Sequence, residues 1–326
     1  MIITRTPLRI SLGGGGTDLK SYYKDYGSFF ISAAINKYVY ITLHETFSEG
    51  YIVKYSQIEN TSRISQIQNG IVRESFRLHN MPNKIELNSI ADIPYGTGLG
   101  SSGSFGVGLL KAVYSSKKEQ ISQQNLAEEA YKIEADILKR PIGKQDQYIA
   151  SFGGITCFEI DKNGKVSVSP LNIPKETLHE LEDNLVLFFT GYTRNAANIL
   201  KEQDQKSKQS ENNMINNLHF VKKLGLESKQ ALETGDLDRF AEIMNIHWQE
   251  KKKRSGAMSN PRINELYDIA LDNGALGGKI IGAGGGGFLM FLAHDKQKLV
   301  KRMREEGLIE TRFGFDFEGP KVLIQD

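Results

Sequence analysis

The chain has 326 residues, 39% of them hydrophobic and 25% charged, the composition of a soluble globular protein long enough for two modest lobes. Lys and Arg outnumber Asp and Glu by only 41 to 39, so there is no basic excess to collect nucleic acid or an anionic membrane, and recognition by charge must be local. Cys157 is the only cysteine, which excludes an intrachain disulfide and a cysteine-rich zinc site; with no signal-peptide core and no run approaching a membrane span, the expected compartment is the cytoplasm.

Residues 2–12 alternate apolar and polar and read as a strand that stops at Gly13, Gly14, Gly15 and Gly16, with Thr17 and Asp18 next. A carboxylate delivered through a glycine turn is either a substrate-facing group or the cap of the following helix, and both readings stand. Residues 28–35 and 37–46 read as two further strands, 51–55 as a shorter one, and 62–79 carry apolar residues at near-helical spacing. A strand at 84–90 then leads into Pro94-Tyr95-Gly96-Thr97-Gly98-Leu99-Gly100-Ser101-Ser102-Gly103-Ser104 and a helical run. Glycines that let the backbone curl, placed where a helix begins, aim several N–H donors and the positive end of the helix dipole at one spot. That composition suits a di- or triphosphate; a well-capped turn is the alternative.

Ser122 is expected to cap a helix running to about residue 139. Leu126, Ala130, Glu134 and Leu138 lie four apart, so a carboxylate interrupts an apolar row and needs a pairing partner or a cation. Lys144 and Asp146 follow a Pro/Gly break, and this pair with Glu134 suits metal-assisted phosphoryl transfer, the alternative being an ordinary solvated surface of acids and lysines. Residues 155–160 and 165–168 form a hairpin about Asn163-Gly164. The polar stretch 170–183 is the expected lobe boundary, dividing the chain into 1–183 and 184–326 and leaving the last strand the option of returning to the first lobe. Beyond it come a strand at 185–190, a long polar helical stretch at 195–224, and helices at 236–250 and 261–273. Between those helices, residues 251–256 form a basic loop, either a solvated surface or the receptor of an anionic group. Residues 278–292 read as strand, glycine loop and strand. Four consecutive glycines, Gly284 to Gly287, cost backbone entropy and point to something that approaches closely. A helix at 295–306 and strands at 309–317 and 321–324 complete the chain.

Three ordered motifs, residues 6–18, 94–104 and 279–288, together resemble those of the galactokinase, homoserine kinase, mevalonate kinase and phosphomevalonate kinase (GHMP) family over nearly the whole length. The resemblance implies an α+β fold of two lobes, the second ferredoxin-like, with ATP bound between them. It implies that Pro94, Gly96, Gly98, Leu99, Gly100, Ser101, Ser102, Gly103 and Ser104 hold the nucleotide. It also implies that Ser102 and Glu134 hold Mg²⁺, that Asp146 is the catalytic base, and that Arg9 and Lys144 assist it. Gly15 and Gly16 stand where galactokinases carry Glu-His. Together with residues 190–196 and the third motif, this resembles the branch acting on D-glycero-D-manno-heptose 7-phosphate, with phosphorylation at the anomeric hydroxyl. An L-fucose-type acceptor and a non-catalytic sensor on the same scaffold are the alternatives. Gly14, Gly15, Gly16, Thr17, Asp18, Arg194, Lys253, Arg254, Gly284 and Gly285 are the expected acceptor residues, with Arg194, Lys253 and Arg254 set against the 7-phosphate. The expected partner is a small-molecule sugar phosphate, not nucleic acid or membrane, with a homodimer among the admissible assemblies.

Overall fold

The computed structural model describes residues 1–192, 196–209 and 211–326. Seven of the eight strands of the first sheet come from residues 2–170: β1 (Ile2–Gly13), β2 (Ser28–Glu45), β3 (Tyr51–Lys54), β4 (Ile58–Thr61), β5 (Ile85–Ala91), β6 (Ile155–Ile160) and β7 (Val166–Pro170). β2 is the spine, pairing antiparallel with β1 over most of its length, with β6 at its start and with β5 over Val39–Glu45. The two strands expected at 28–35 and 37–46 are therefore one. Leu8 faces Ile35 while Pro7 faces Tyr38, so Asn36 and Lys37 are the surplus residues of a bulge opposite a proline that has no N–H for the ladder. Cys157, on β6, lies opposite Ile31 of β2 and is 1% exposed.

The helix Ser101–Ser116 lies on β1 and β2, burying Val107, Leu109, Leu110 and Val113. It also packs against the helix Gln145–Phe152, which sets residues 101–103 beside Asp146. The segment expected as one helix from Ser122 is a helix over Gln123–Tyr131, capped by Ser122 as expected, that passes into a π-helical stretch over Lys132–Ile137. Glu134 is in that widened turn, a frequent device for re-aiming a side chain at a site.

The second sheet is three-stranded: β8 (Leu185–Phe189), β9 (Ala275–Ile280) and β10 (Phe288–Ala293), ordered β8-β10-β9 and antiparallel. β10 is buried at every residue, hence its unbroken apolar sequence. The helices Leu237–Lys252, Pro261–Asp272 and Lys296–Glu305 accompany this sheet, and Leu237–Lys252 lies along β9. The expected helical stretch 195–224 is two helices, Ala196–Lys208 and Asn212–Thr234, and the second crosses β1 and β2 of the first sheet. The polar stretch 170–183 carries a helix at Lys175–Asn184. β11 (Lys321–Gln325) pairs with β1, Ile2 opposite Gln325. Residues 309–317, expected as a strand, are not one. Their backbone bonds are divided between the sheets, Thr311 N–H to the Leu187 carbonyl and Asp316 N–H to the Ala34 carbonyl, so neither ladder extends. Among the described residues no helix is long and apolar enough to cross a membrane.

Candidate active site

The loop after β5 reaches the helix Ser101–Ser116 through Gly96, Gly98 and Gly100, whose φ angles are 84°, 88° and 78°. Gly100, left-handed, is the N-cap and supplies no side chain, so the first turn's N–H groups stay open to a ligand. The loop is pressed against the third glycine cluster. A Cβ on Gly98 would stand 2.8 Å from the Ile281 carbonyl oxygen, and one on Gly282 would stand 2.7 Å from Gly98 Cα. Two backbones touch where side chains would separate them, which is the close approach the glycine runs require. Gly96, Gly98, Gly100, Ser101, Ser102 and Gly103 line a cavity of about 690 Å³ between the two sheets' elements. Pro94, Leu99 and Ser104 do not line it. The Pro94 carbonyl accepts from the Thr97 hydroxyl, the buried Leu99 carbonyl accepts Arg9 N–H at 3.0 Å, and the Ser104 hydroxyl donates to the Pro7 carbonyl at 2.7 Å. These three brace the loop from behind.

Asp146, on the first turn of its helix, faces the cavity. Arg9 Nε and Nη2 both donate to its Oδ1, at 2.8 and 2.7 Å, and Arg9 Nη1 reaches the Gly98 carbonyl. A 5%-exposed guanidinium thus ties β1, the glycine loop and Asp146 into one unit. Ser102 and Glu134 adjoin: the Ser102 hydroxyl donates to Glu134 Oε2, Arg140 Nη1 donates to the same oxygen at 2.8 Å, and Gln147 Nε2 to Oε1 at 2.9 Å. Glu134 is 1% exposed and also lines the cavity.

Gly15, Gly16 and Asp18 line the cavity at the end of β1. Asp18 does not cap the helix Lys20–Tyr26, which has no side-chain cap; its Oδ2 accepts Gln145 N–H at 3.0 Å, and burial raises its carboxyl above the usual range. Gly14 is packed against β2, where a Cβ would come within 2.1 Å of the Phe29 carbonyl oxygen. Thr17 is buried, its hydroxyl on the Gly14 carbonyl. Neither lines the cavity, so both hold the turn rather than a ligand. Gly284 lines the cavity, whereas Gly285 does not and instead donates its N–H to the Met258 carbonyl.

Two expected residues lie elsewhere. Lys144, expected beside the base, points the other way, with its ammonium on Glu128 and the Gly164 carbonyl and over the Tyr131 ring. It is the N-cap residue of the helix that begins at Gln145, with Asp146 in its first turn, and two residues' rotation along a helix start sends the two side chains apart. Lys253 pairs with Glu250, is 66% exposed, and lines a neighbouring cavity instead. Arg194 lies outside the described residues. Arg254 does face the cavity, though buried to 3%.

Sequence reading missed His247 and Lys279 and left Lys251 in a basic loop of two readings; all three are buried and line the cavity. The signal was present: Phe240, Met244, His247 and Lys251 continue one inward stripe, so cations stood where apolar side chains belong. Burial, with Arg254 nearby, pushes the Lys279 ammonium down to about 7. Burial together with neighbouring cations holds His247 and Lys251 well below their ordinary values.

Residues 66–154 match the GHMP kinases N terminal domain and residues 228–307 the GHMP kinases C terminal region. The chain is 34% identical, over 98% of both sequences, to the D-glycero-alpha-D-manno-heptose 7-phosphate kinase of Campylobacter jejuni. It superposes on the crystal structure of a D-glycero-D-manno-heptose 1-phosphate kinase from Bacteroides thetaiotaomicron with a TM-score of 0.82, at 28% identity and 99% coverage of each chain. It shares the fold of Lactococcus lactis galactokinase complexed with galactose, with a TM-score of 0.75 at 17% identity, covering all of this chain and 95% of that one. By these matches and by a glycine cradle set beside a charged pair, the chain belongs to the GHMP kinase family of ATP-dependent kinases.

Proposed function

We propose that the chain is an ATP-dependent sugar kinase that phosphorylates the anomeric hydroxyl of D-glycero-D-manno-heptose 7-phosphate, giving the 1,7-bisphosphate. The product would feed nucleotide-activated (GDP-) heptose for surface glycans, in the cytoplasm where ATP is the donor. The observation that carries this reading is the near full-length 34% identity to the Campylobacter jejuni heptose 7-phosphate kinase. The Asp146–Arg9 pair beside the loop supports it. We read residues 1–183 and 184–326 as the lobes that enclose the substrates, with β11 belonging to the first.

The ATP phosphates rest on the backbone of Gly96 to Ser102 and the open N-terminal turn of the helix Ser101–Ser116. Asp146 accepts the proton of the acceptor hydroxyl as its oxygen bonds to the γ-phosphorus and the bond to the ADP oxygen breaks. Arg9 fixes the Asp146 rotamer and lends positive charge beside the transferring group. An anomeric hydroxyl is more acidic than an ordinary alcohol and asks less of the base.

A divalent cation fits the Ser102–Glu134 pair: both are hard oxygen donors, and the Arg140 cation already lies on the Glu134 oxygen that Ser102 shares. Ser102 and Glu134 would hold Mg²⁺, which would neutralise charge on the phosphoryl oxygens.

The test is a kinase assay on four acceptors, heptose 7-phosphate, heptose 1-phosphate, unphosphorylated heptose and L-fucose, with phosphorus NMR of each product. A new phosphoryl group at C1 of the 7-phosphate, at the highest kcat/KM, is expected. Preference for heptose 1-phosphate, the compound named for the Bacteroides thetaiotaomicron structure, would overturn the assigned acceptor.

A further inference from the structure

Four cation-forming side chains converge on the cavity wall built by β9 and the end of the helix Leu237–Lys252: His247, Lys251, Arg254 and Lys279, exposed by 4, 7, 3 and 2%. Their partners are neutral. Lys279 Nζ donates to the Leu12 carbonyl at 2.8 Å and lies 3.4 Å from His247 Nδ1. Lys251 donates to the Ile280 and Gly282 carbonyls. Arg254 donates from Nε to Asn217 and from Nη1 to the Gly15 carbonyl, and its buried Nη2 has no partner among the described residues.

Among the described residues none of the four forms an ion pair, and the carboxylates within reach are engaged elsewhere. Asp18 is held by the Gln145 backbone, Asp146 by Arg9, and Glu250 by Lys253 and Asn217. Buried cations without a counter-ion are costly, and each makes its neighbours costlier. An enclosed anion of charge near −2 would relieve all of them at once. Lys279 and Arg254 lean on the carbonyls of Leu12 and Gly15, that is, on the end of β1 and the glycine turn after it, and not on the loop 96–103.

We propose that Lys279, His247 and Arg254, backed by Lys251, are the receptor for the phosphate monoester carried by the acceptor. The assignment rests on the acceptor being a sugar phosphate, as read above. It replaces the exposed Lys253 with groups that no water screens. A monoester dianion in this pocket favours the protonated forms of Lys279 and His247, so the acceptor binds together with a proton. The charged groups around Lys279 are His247 and Lys251 from the helix Leu237–Lys252 and Arg254 just beyond it; Arg9 in turn acts on Lys251, and Glu250 and Asp18 act on Arg254.

The test compares Lys279→Met and His247→Gln with the unaltered chain, on heptose 7-phosphate and on unphosphorylated heptose. Each variant is expected to lower the ratio of the two kcat/KM values by about 10- to 100-fold through the acceptor KM, with the KM for ATP within about twofold. An unchanged ratio, or a loss that appears in the KM for ATP instead, overturns the receptor while leaving the proposed reaction standing. No preference for the phosphorylated acceptor in the unaltered chain overturns both. Titration calorimetry of the unaltered chain needs no variant to fold. At about pH 8, in two buffers of different ionisation enthalpy, heptose 7-phosphate is expected to bind with uptake of up to about one proton, and binding without uptake overturns the receptor.

Discussion

Replacing Gly98 by Ala tests whether the nucleotide loop is positioned by backbone contact with the third glycine cluster. Two costs are added. The left-handed φ of 88° strains any residue with a Cβ by about 1–2 kcal/mol. The new methyl would also stand 2.8 Å from the Ile281 carbonyl oxygen, and because both neighbours are main chain, overpacking adds about 1–3 kcal/mol. Gly307 separates these terms, since its φ is 85° and nothing lies within 4 Å of a Cβ placed there. With an unfolding entropy of about 2.1 cal/mol/K per residue, a chain of this length loses about 1.5 °C of Tm per kcal/mol. Gly307→Ala should therefore lower Tm by about 1.5–3 °C and Gly98→Ala by about 3–7 °C, read by calorimetry. The second variant should also raise the KM for ATP. Equal losses of Tm in the two variants would refute the loop-on-loop contact.

Asp146→Asn should leave ATP affinity nearly unchanged and lower kcat by about 10²- to 10⁴-fold; undiminished turnover would remove Asp146 from the base position. Glu134→Gln should raise the Mg²⁺ concentration for half-maximal rate by about tenfold or more, and an unaltered metal titration counts against that ligand. Lys144→Met should keep kcat within about threefold but cost about 1–3 kcal/mol of stability, because it strips Glu128 and the Gly164 carbonyl of their ammonium. A collapse of kcat at unchanged Tm would contradict its placement. Lys279 binds its proton more weakly folded, at about 7, than unfolded, at 10.5. The unfolded chain therefore holds more protons between those values, and stability from this group rises with pH across that window. Lys279→Met removes the penalty, so its Tm advantage over the unaltered chain should be largest near pH 7 and shrink toward pH 10; a constant offset would show that the penalty is absent.

The nucleotide side of the site was legible because it is built from consecutive residues. Gly96 to Gly103 carry their geometry in their own φ angles, and Glu134 stood out against an apolar row. The acceptor side was not, because burial decides it. Residues 251–256 read either as a solvated basic loop or as an anion receptor, and burial decides between them: Lys251 and Arg254 are turned inward while Lys253 is exposed. Lys144 and Asp146, two apart, separate across a helix start, a rotation that sequence distance hides. In the fold, the break assumed between residues 35 and 37 is a bulge whose cause, Pro7, lies on the neighbouring strand. The ladder expected at 309–317 is shared between two sheets, which no local pattern records. β4 escaped notice because Ile58–Thr61 is a mostly polar edge strand with no alternation long enough to register.

Cys157 gives the central sheet a built-in clock. Its thiol is buried in the core, with Lys229 and Glu233 of the helix Asn212–Thr234 as charged neighbours, and pushed up to about 12 by burial, so no thiolate is presented to a reagent while that core stays closed. A disulfide reagent in excess then labels the protein only as often as that core opens, and because the chain has one sulfhydryl, every event recorded belongs to this location. The slowing of labelling as nucleotide is added measures how far an occupied cleft holds that core shut two strands from β1.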